Sequence, residues 1–159
     1  MNMNVNKTID LEVLKDFEVF QGLMTREMQI IHEVSTLMSY TGGDNILKQS
    51  DLSMDLFIVV KGRLSVNMGY SSSREKRLQK IAELKAGDMF GEIGFLEGKR
   101  RSASISAMEP GQVLKIDGLK LHEIFEINQH MGYIMMRNIA LVLARRLVDI
   151  NYQLRNQSF

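Results

Sequence analysis

The stretch Leu84-Lys85-Ala86-Gly87-Asp88-Met89-Phe90-Gly91-Glu92-Ile93-Gly94-Phe95-Leu96-Glu97-Gly98-Lys99-Arg100-Arg101-Ser102-Ala103-Ser104-Ile105 decides how the rest of the chain is read. Its recurring glycines permit close approach of a backbone to a ligand. A turn followed by a short helix starting near Gly91 leaves first-turn N–H groups without intrahelical acceptors, and these favour an anion both as donors and through the helix dipole. A single phosphodiester fits such a site. Arg101 supplies a charge-assisted contact to the same phosphate, and Glu92 an acceptor for a ribose hydroxyl. Each residue also has a plainer reading: Lys99-Arg100-Arg101 as a solvated basic turn, and Glu92 as a complement to the positive end of a short helix. A triphosphate loop is excluded, because Ile93 stands where its first glycine is required and Arg100 where its hydroxyl residue is required.

Upstream, short strands are punctuated by glycine. Gly42-Gly43-Asp44 precedes Leu56 to Lys61, then Gly62, then Leu64, Val66 and Met68 alternating with Ser65 and Asn67. Gly69 to Lys76, with Ser71-Ser72-Ser73, reads as a polar loop, and strands resume over Arg77 to Leu84, Ser102 to Ala107 and Gln112 to Ile116. The pair Gly43-Asp44 returns as Gly87-Asp88, which hints at two similar corners closing a roll. Further out the period becomes helical. Leu11, Leu14, Phe17 and Phe20 share one apolar face; Thr25 is placed to cap a helix over Arg26 to Leu37; Leu119 to Ile127 and about Gly132 to Arg155 close the chain. The expected fold class is α+β: an antiparallel, jelly-roll-like β-roll with N-terminal helices, a short helix after Gly91 and a long C-terminal helix. One domain over residues 1–159 is expected, with N-terminal helices in 8–39, the roll in 40–117 and C-terminal helices in 118–157. Ile139, Leu143, Leu147, Ile150 and Leu154 form a stripe on the last helix, which either packs on the chain's own roll or pairs through its distal half with the same helix of a second chain.

Bulk composition narrows function. The chain has 159 residues, 45% of them hydrophobic, enough for one buried core. A net charge of +1 lacks the basic excess of a nucleic-acid binder. With no cysteine there is no disulfide framework, thiolate nucleophile or thiolate metal site. No apolar run is long enough for a secretory or membrane segment. A cytoplasmic protein without nucleic-acid or membrane partners is expected. His32, His122 and His130 all fall in predicted helices as surface or capping residues, so neither a metal-binding β-roll enzyme nor a nucleophile–histidine arrangement can be assembled.

Phe90-Gly91-Glu92-Ile93-Gly94 through Arg101-Ser102-Ala103 resembles the phosphate-binding cassette of the cyclic nucleotide-binding domain family. Leu56 to Val66 is similar to that family's glycine-containing strand pair, and Ala144-Arg145-Arg146-Leu147 to the long helix of the bacterial catabolite activators. The resemblance covers roughly Phe20 to Leu154 and implies a ligand, cAMP, with cGMP kept open because Ser102 does not decide between them. It implies a backbone contact from Gly91, a ribose 2′-hydroxyl acceptor in Glu92, an ion pair from Arg101 to the cyclic phosphate, and a hydroxyl and N–H from Ser102. Val66, Leu84, Phe90, Ile93 and Ala103 complete the implied lining, with Arg146 reaching in from the long helix and Ile150-Asn151 where the activators carry a base-contacting Thr-Ser pair. The helix-turn-helix that follows in those transcription factors has no counterpart before Phe159, so direct promoter reading is not expected. The functional expectation is a non-enzymatic regulatory module without cofactor or metal. It passes a ligand-induced change of its C-terminal helix to an effector protein, with a homodimer through that helix as one option. The alternative is a β-roll interaction or scaffold module that no longer binds nucleotide.

Overall fold

The computed structural model describes residues 4–5, 9–72 and 75–157. In chain order it runs β1 (Asn4–Val5), α1 (Leu11–Leu14), a 3-10 turn (Glu18–Phe20), α2 (Thr25–Glu33), β2 (Ser35–Tyr40), β3 (Asn45–Leu47), β4 (Leu56–Lys61), β5 (Arg63–Ser72), β6 (Glu75–Lys85), β7 (Met89–Phe90), α3 (Glu92–Glu97), β8 (Ser104–Ala107), β9 (Gly111–Ile116), α4 (Gly118–Ile127) and α5 (Gln129–Gln157). Two antiparallel sheets, in the orders β1-β2-β9-β4-β7 and β3-β8-β5-β6, form the roll. The expected α+β architecture is present, including the short helix after Gly91 and the long C-terminal helix.

The unbroken apolar run from Leu56 has a physical reason. β4 lies between β9 and β7 in its sheet, and each of its two faces packs into a core. Leu56 and Ile58 pack with Phe20, Ile31, Phe95, Leu121 and Met135 in a core between sheet and helices. Phe57 and Val59 point the other way, into a second core inside the roll with Leu64, Leu84, Phe90 and Val113. Each such side chain, fully buried, contributes on the order of 1.5–3 kcal/mol.

The two Gly-Asp corners are built alike. Asp44 accepts from the Thr41 N–H and Asp88 from the Lys85 N–H, both at 2.8 Å. Each corner then docks on a strand by a reciprocal backbone pair: Gly43 N–H to Ala107 O at 2.9 Å and Ala107 N–H to Asp44 O at 2.8 Å, Gly87 N–H to Val59 O at 2.8 Å and Val59 N–H to Asp88 O at 2.9 Å.

Four boundaries differ from expectation. The helix expected over Arg26 to Leu37 ends at Glu33, and Ser35–Tyr40 is strand β2, paired with β9 from Ser35↔Ile116 to Tyr40↔Gly111. The roll therefore begins before residue 40, and the 8–39 helical segment is too long; sheet pairing overrides a helical period that continues through Val34. Thr25 does not cap α2, whose first residue it is; the Glu27 carboxylate instead accepts from the Met24 N–H at 2.9 Å. The Gly69 to Lys76 loop is mostly strand, with Gly69↔Leu78 and Ser72↔Glu75 in register, because backbone pairing between β5 and β6 sets the strand whatever the polarity of its residues. Ser73, assigned to the same loop, lies outside the described residues. The Leu11 to Phe20 face survives but is carried by α1 and a separate 3-10 turn, with Asp10 capping α1 through the Glu12 N–H at 3.0 Å.

The C-terminal stripe divides. Ile139 is fully buried and Leu143 packs partly against the helical core, whereas Leu147 and Ile150 remain 59% and 52% exposed. Packing on the chain's own fold thus accounts for the proximal half alone.

Candidate functional site

β7 delivers Phe90 into the roll, where it stacks on Phe57 at 5.1 Å. Gly91 then turns the chain into α3 at φ +81°, a conformation that side chains disfavour. A Cβ on Gly91 would lie 2.8 Å from Arg101 Nη1, and one on Gly94 2.9 Å from the same atom. The glycines therefore make room for the Arg101 guanidinium beneath α3.

Arg101 is 3% exposed. Its Nη1 donates to Gly91 O at 2.7 Å, and its Nη2 to Asp55 O at 2.7 Å and Ser53 Oγ at 2.9 Å. The guanidinium lies 5.6 Å from the Phe57 ring centroid. Its Nε is buried and, among the described residues, has no hydrogen-bond partner. Burial lowers the guanidinium pKa from its ordinary value, and the Asp55, Glu92 and Asp51 carboxylates offset part of that effect. The basic-turn reading fails for this residue: Lys99 and Arg100 are exposed, Arg101 is not.

Glu92, in the first turn of α3, is 9% exposed. Its Oε1 lies 3.2 Å from Arg146 Nη1, and Arg146 also donates to Met89 O. α5 is thus fastened to the start of α3, and a second ion pair, Arg145 with Glu18, fastens it to the 3-10 turn.

Gly91, Glu92, Arg101 and Arg146 accordingly converge, with Phe90 behind them. Val66 and Leu84 line the inner core nearby. Ser102 is exposed and Ala103 half-buried on the segment leading to β8, while Ile93 is 42% exposed on the outer side of α3. Ile150 and Asn151 stand on the exposed distal part of α5, more than a turn beyond Arg146.

Several contributing residues escaped the sequence reading. Ser53 and Asp55 hold Arg101 across 48 and 46 positions, and Asp55 also pairs with Lys115 at 3.0 Å. Their signal is only a polar Ser-x-Asp step before the Leu56 run. His122 and His130 are more than surface residues: His122 Nε2 lies 2.9 Å from Phe95 O, and His130 Nδ1 2.9 Å from the buried Glu27 carboxylate.

Among the described residues no group of three or more His, Asp or Glu is placed to hold a metal ion, and no helix is long and apolar enough to cross a membrane.

Comparison with known proteins agrees with this fold. Residues 37–128 match the model of the cyclic nucleotide-binding domain. The cyclic AMP receptor protein of Thermus thermophilus is 30% identical over 149 residues, covering 92% of this chain and 64% of that protein. The cyclic nucleotide-gated channel beta-3 of Canis lupus familiaris is 25% identical over 152 residues, which make up only 18% of its length. The chain thus spans less than two thirds of either relative. Among solved structures, a cyclic nucleotide-binding protein from Geobacter metallireducens superposes with a TM-score of 0.75 at 25% identity, covering 87% of this chain and 98% of that one. The Thermus thermophilus catabolite activator protein gives a TM-score of 0.69 at 26% identity over 89% of this chain and 63% of its own. With more than half of its length matching the domain model, this chain belongs to the cyclic nucleotide-binding domain family.

Proposed function

We propose that the chain is a non-enzymatic cAMP receptor module that works in the cytoplasm and passes a change in α5 to an effector protein. The observation that carries this is the burial of the Arg101 guanidinium on the Gly91 carbonyl and of the adjoining Glu92 carboxylate, with Arg146 of α5 on that carboxylate. Glu92 accepts a ribose hydroxyl. Arg101 and Ser102 take the cyclic phosphate, for which Arg101 exchanges main-chain acceptors for a charged one. The Thermus relative's name supports cAMP over cGMP. Ile150 and Asn151 close over the base when the distal part of α5 folds toward the roll.

Because Arg146 and a ribose hydroxyl both compete for Glu92, ligand binding changes the contact that holds α5 to α3; this differential interaction is what allows a ligand to shift the helix. Along α5, Tyr133, Met136, Ala140, Leu143, Leu147, Ile150 and Leu154 follow one another in alternating steps of three and four, with Leu143 at the edge of the helical core. Tyr133, Met136, Leu147 and Ile150 are 40% to 65% exposed. That spacing is a coiled-coil seam, and we assign it to a second copy of the chain in a two-fold dimer.

The second reading, a scaffold module that has lost its ligand, draws support from the same contacts: Arg101 already meets three acceptors and Glu92 already meets Arg146. Thermal shift with cAMP and cGMP separates the two. A receptor gains stability by about 2.7 kcal/mol at a ligand concentration of 100 times Kd. A melting temperature unmoved by millimolar cAMP or cGMP favours the scaffold.

A further inference from the structure

We propose that His122 is a positioning residue that couples α3 to the C-terminal helices through the backbone of Phe95. Its ligand-dependent part rests on the reading above; its ligand-free part does not.

α3 is only six residues long, so its later carbonyls have few intrahelical N–H partners. Phe95 sits in this region with its ring fully buried in the helical core. His122, from the second turn of α4, brings Nε2 to 2.9 Å from the Phe95 carbonyl oxygen. A carbonyl only accepts, so the imidazole must carry its proton on Nε2. The same imidazole stacks on the Phe95 ring at 4.4 Å and 22°, and Phe125 meets both rings edge-on. A donor and a stack on one residue hold α3 in position and rotation, which neither does alone.

The opposite end of α3 is held by Arg146 on Glu92. That grip is the one a ribose hydroxyl competes for, whereas the Phe95–His122 contact lies away from the ligand and persists when Glu92 changes partner. A displacement of α3 therefore reaches α4, and through the Asn128 junction α5, by way of His122.

The test uses the full chain and two variants: His122→Phe keeps an aromatic stack without the donor, and His122→Gln keeps a donor without the stack. In ligand-free protein, His122→Phe should speed amide exchange across residues 94–98 about five- to tenfold, the scale of one lost neutral hydrogen bond, with His122→Gln recovering part of it. Unchanged exchange in His122→Phe would overturn the proposal. Nitrogen-15 NMR of the wild-type ring provides a readout independent of variant folding: an Nε2–H tautomer is expected, and an Nδ1–H tautomer would overturn the assignment. With saturating cAMP, the wild type should change exchange in α3, α4 and α5, whereas His122→Phe should bind within about threefold of the wild-type Kd and respond in α3 alone. A wild-type-like α5 response in that variant contradicts the coupling. If the wild type binds no cyclic nucleotide, the receptor reading fails, and the ligand-free exchange and ring tautomer decide the role of His122.

Discussion

Arg101 is asked to do two things. It ties the turn at Gly91 to the backbone before β4, and it is the cation proposed to meet a phosphate. Arg101→Ala should therefore weaken cAMP binding by roughly 2–5 kcal/mol, because a buried phosphate loses its partner. It should also lower unfolding stability by about 1–3 kcal/mol, because the Gly91 and Asp55 carbonyls lose theirs. Calorimetric titration checks the first and chemical denaturation the second; an unchanged Kd in a folded variant removes Arg101 from the ligand site. Arg101→Lys should rescue little of either effect, since an ammonium cannot span the forked acceptors. At this scale the sequence was informative where residues lie close along the chain. Gly91, Glu92 and Arg101 belong to one glycine-rich stretch whose chemistry can be read directly. Ser53, Asp55 and His122 reach the same region from 27 to 48 positions away, and such contacts leave no spacing to read.

Among the elements, α2 and the α4–α5 junction are joined by one buried carboxylate. Glu27 accepts from the Met24 N–H at 2.9 Å, Asn128 Nδ2 at 3.1 Å and His130 Nδ1 at 2.9 Å. Burial raises its pKa, yet the bonds from His130, Met24 and Asn128 outweigh that and hold it below the ordinary carboxyl value of 4.5. A carboxyl depressed in the folded state stabilises above its unfolded pKa and loses that contribution as pH falls through the folded value. Glu27→Gln should thus cost about 1–3 kcal/mol at pH 7, and the gap to wild type should narrow below pH ~4.5. Urea titrations at several pH values measure it; a gap independent of pH would remove the carboxylate from that role. Elements are legible where pattern and burial agree, as in the continuous apolar run of β4 and the helical period of the proximal part of α5. They were misread at Ser35–Tyr40 and Gly69–Ser72, where strand identity comes from partners β9 and β6 rather than from local pattern.

For the molecule as a whole, two cores back to back make β4 and β9 the rigid wall between helices and roll, while the distal part of α5 extends beyond both. The heptad face along it predicts a dimer in sedimentation. Leu147→Glu combined with Ile150→Glu should give a monomer that stays folded, since both side chains are more than half exposed and leave the core untouched. A wild-type monomer at high protein concentration would dismiss the seam. The two cores on either side of β4 are not legible in advance, because an unbroken apolar run does not say which side chain faces which core; the two fates of the C-terminal stripe stayed open, because helical spacing alone does not say where a helix leaves its own fold.

A receptor function requires that Glu92 and Arg101 form a cyclic nucleotide site. The most direct measurement is titration calorimetry of wild type and Glu92→Gln, each with cAMP and with 2′-deoxy-cAMP. Wild type should bind cAMP about ten- to a hundredfold more tightly than the deoxy ligand, the worth of one hydrogen bond to a carboxylate. Glu92→Gln should lose most of that discrimination. Equal affinities for the two ligands in wild type would contradict the role of Glu92, and no binding of either would contradict the receptor itself.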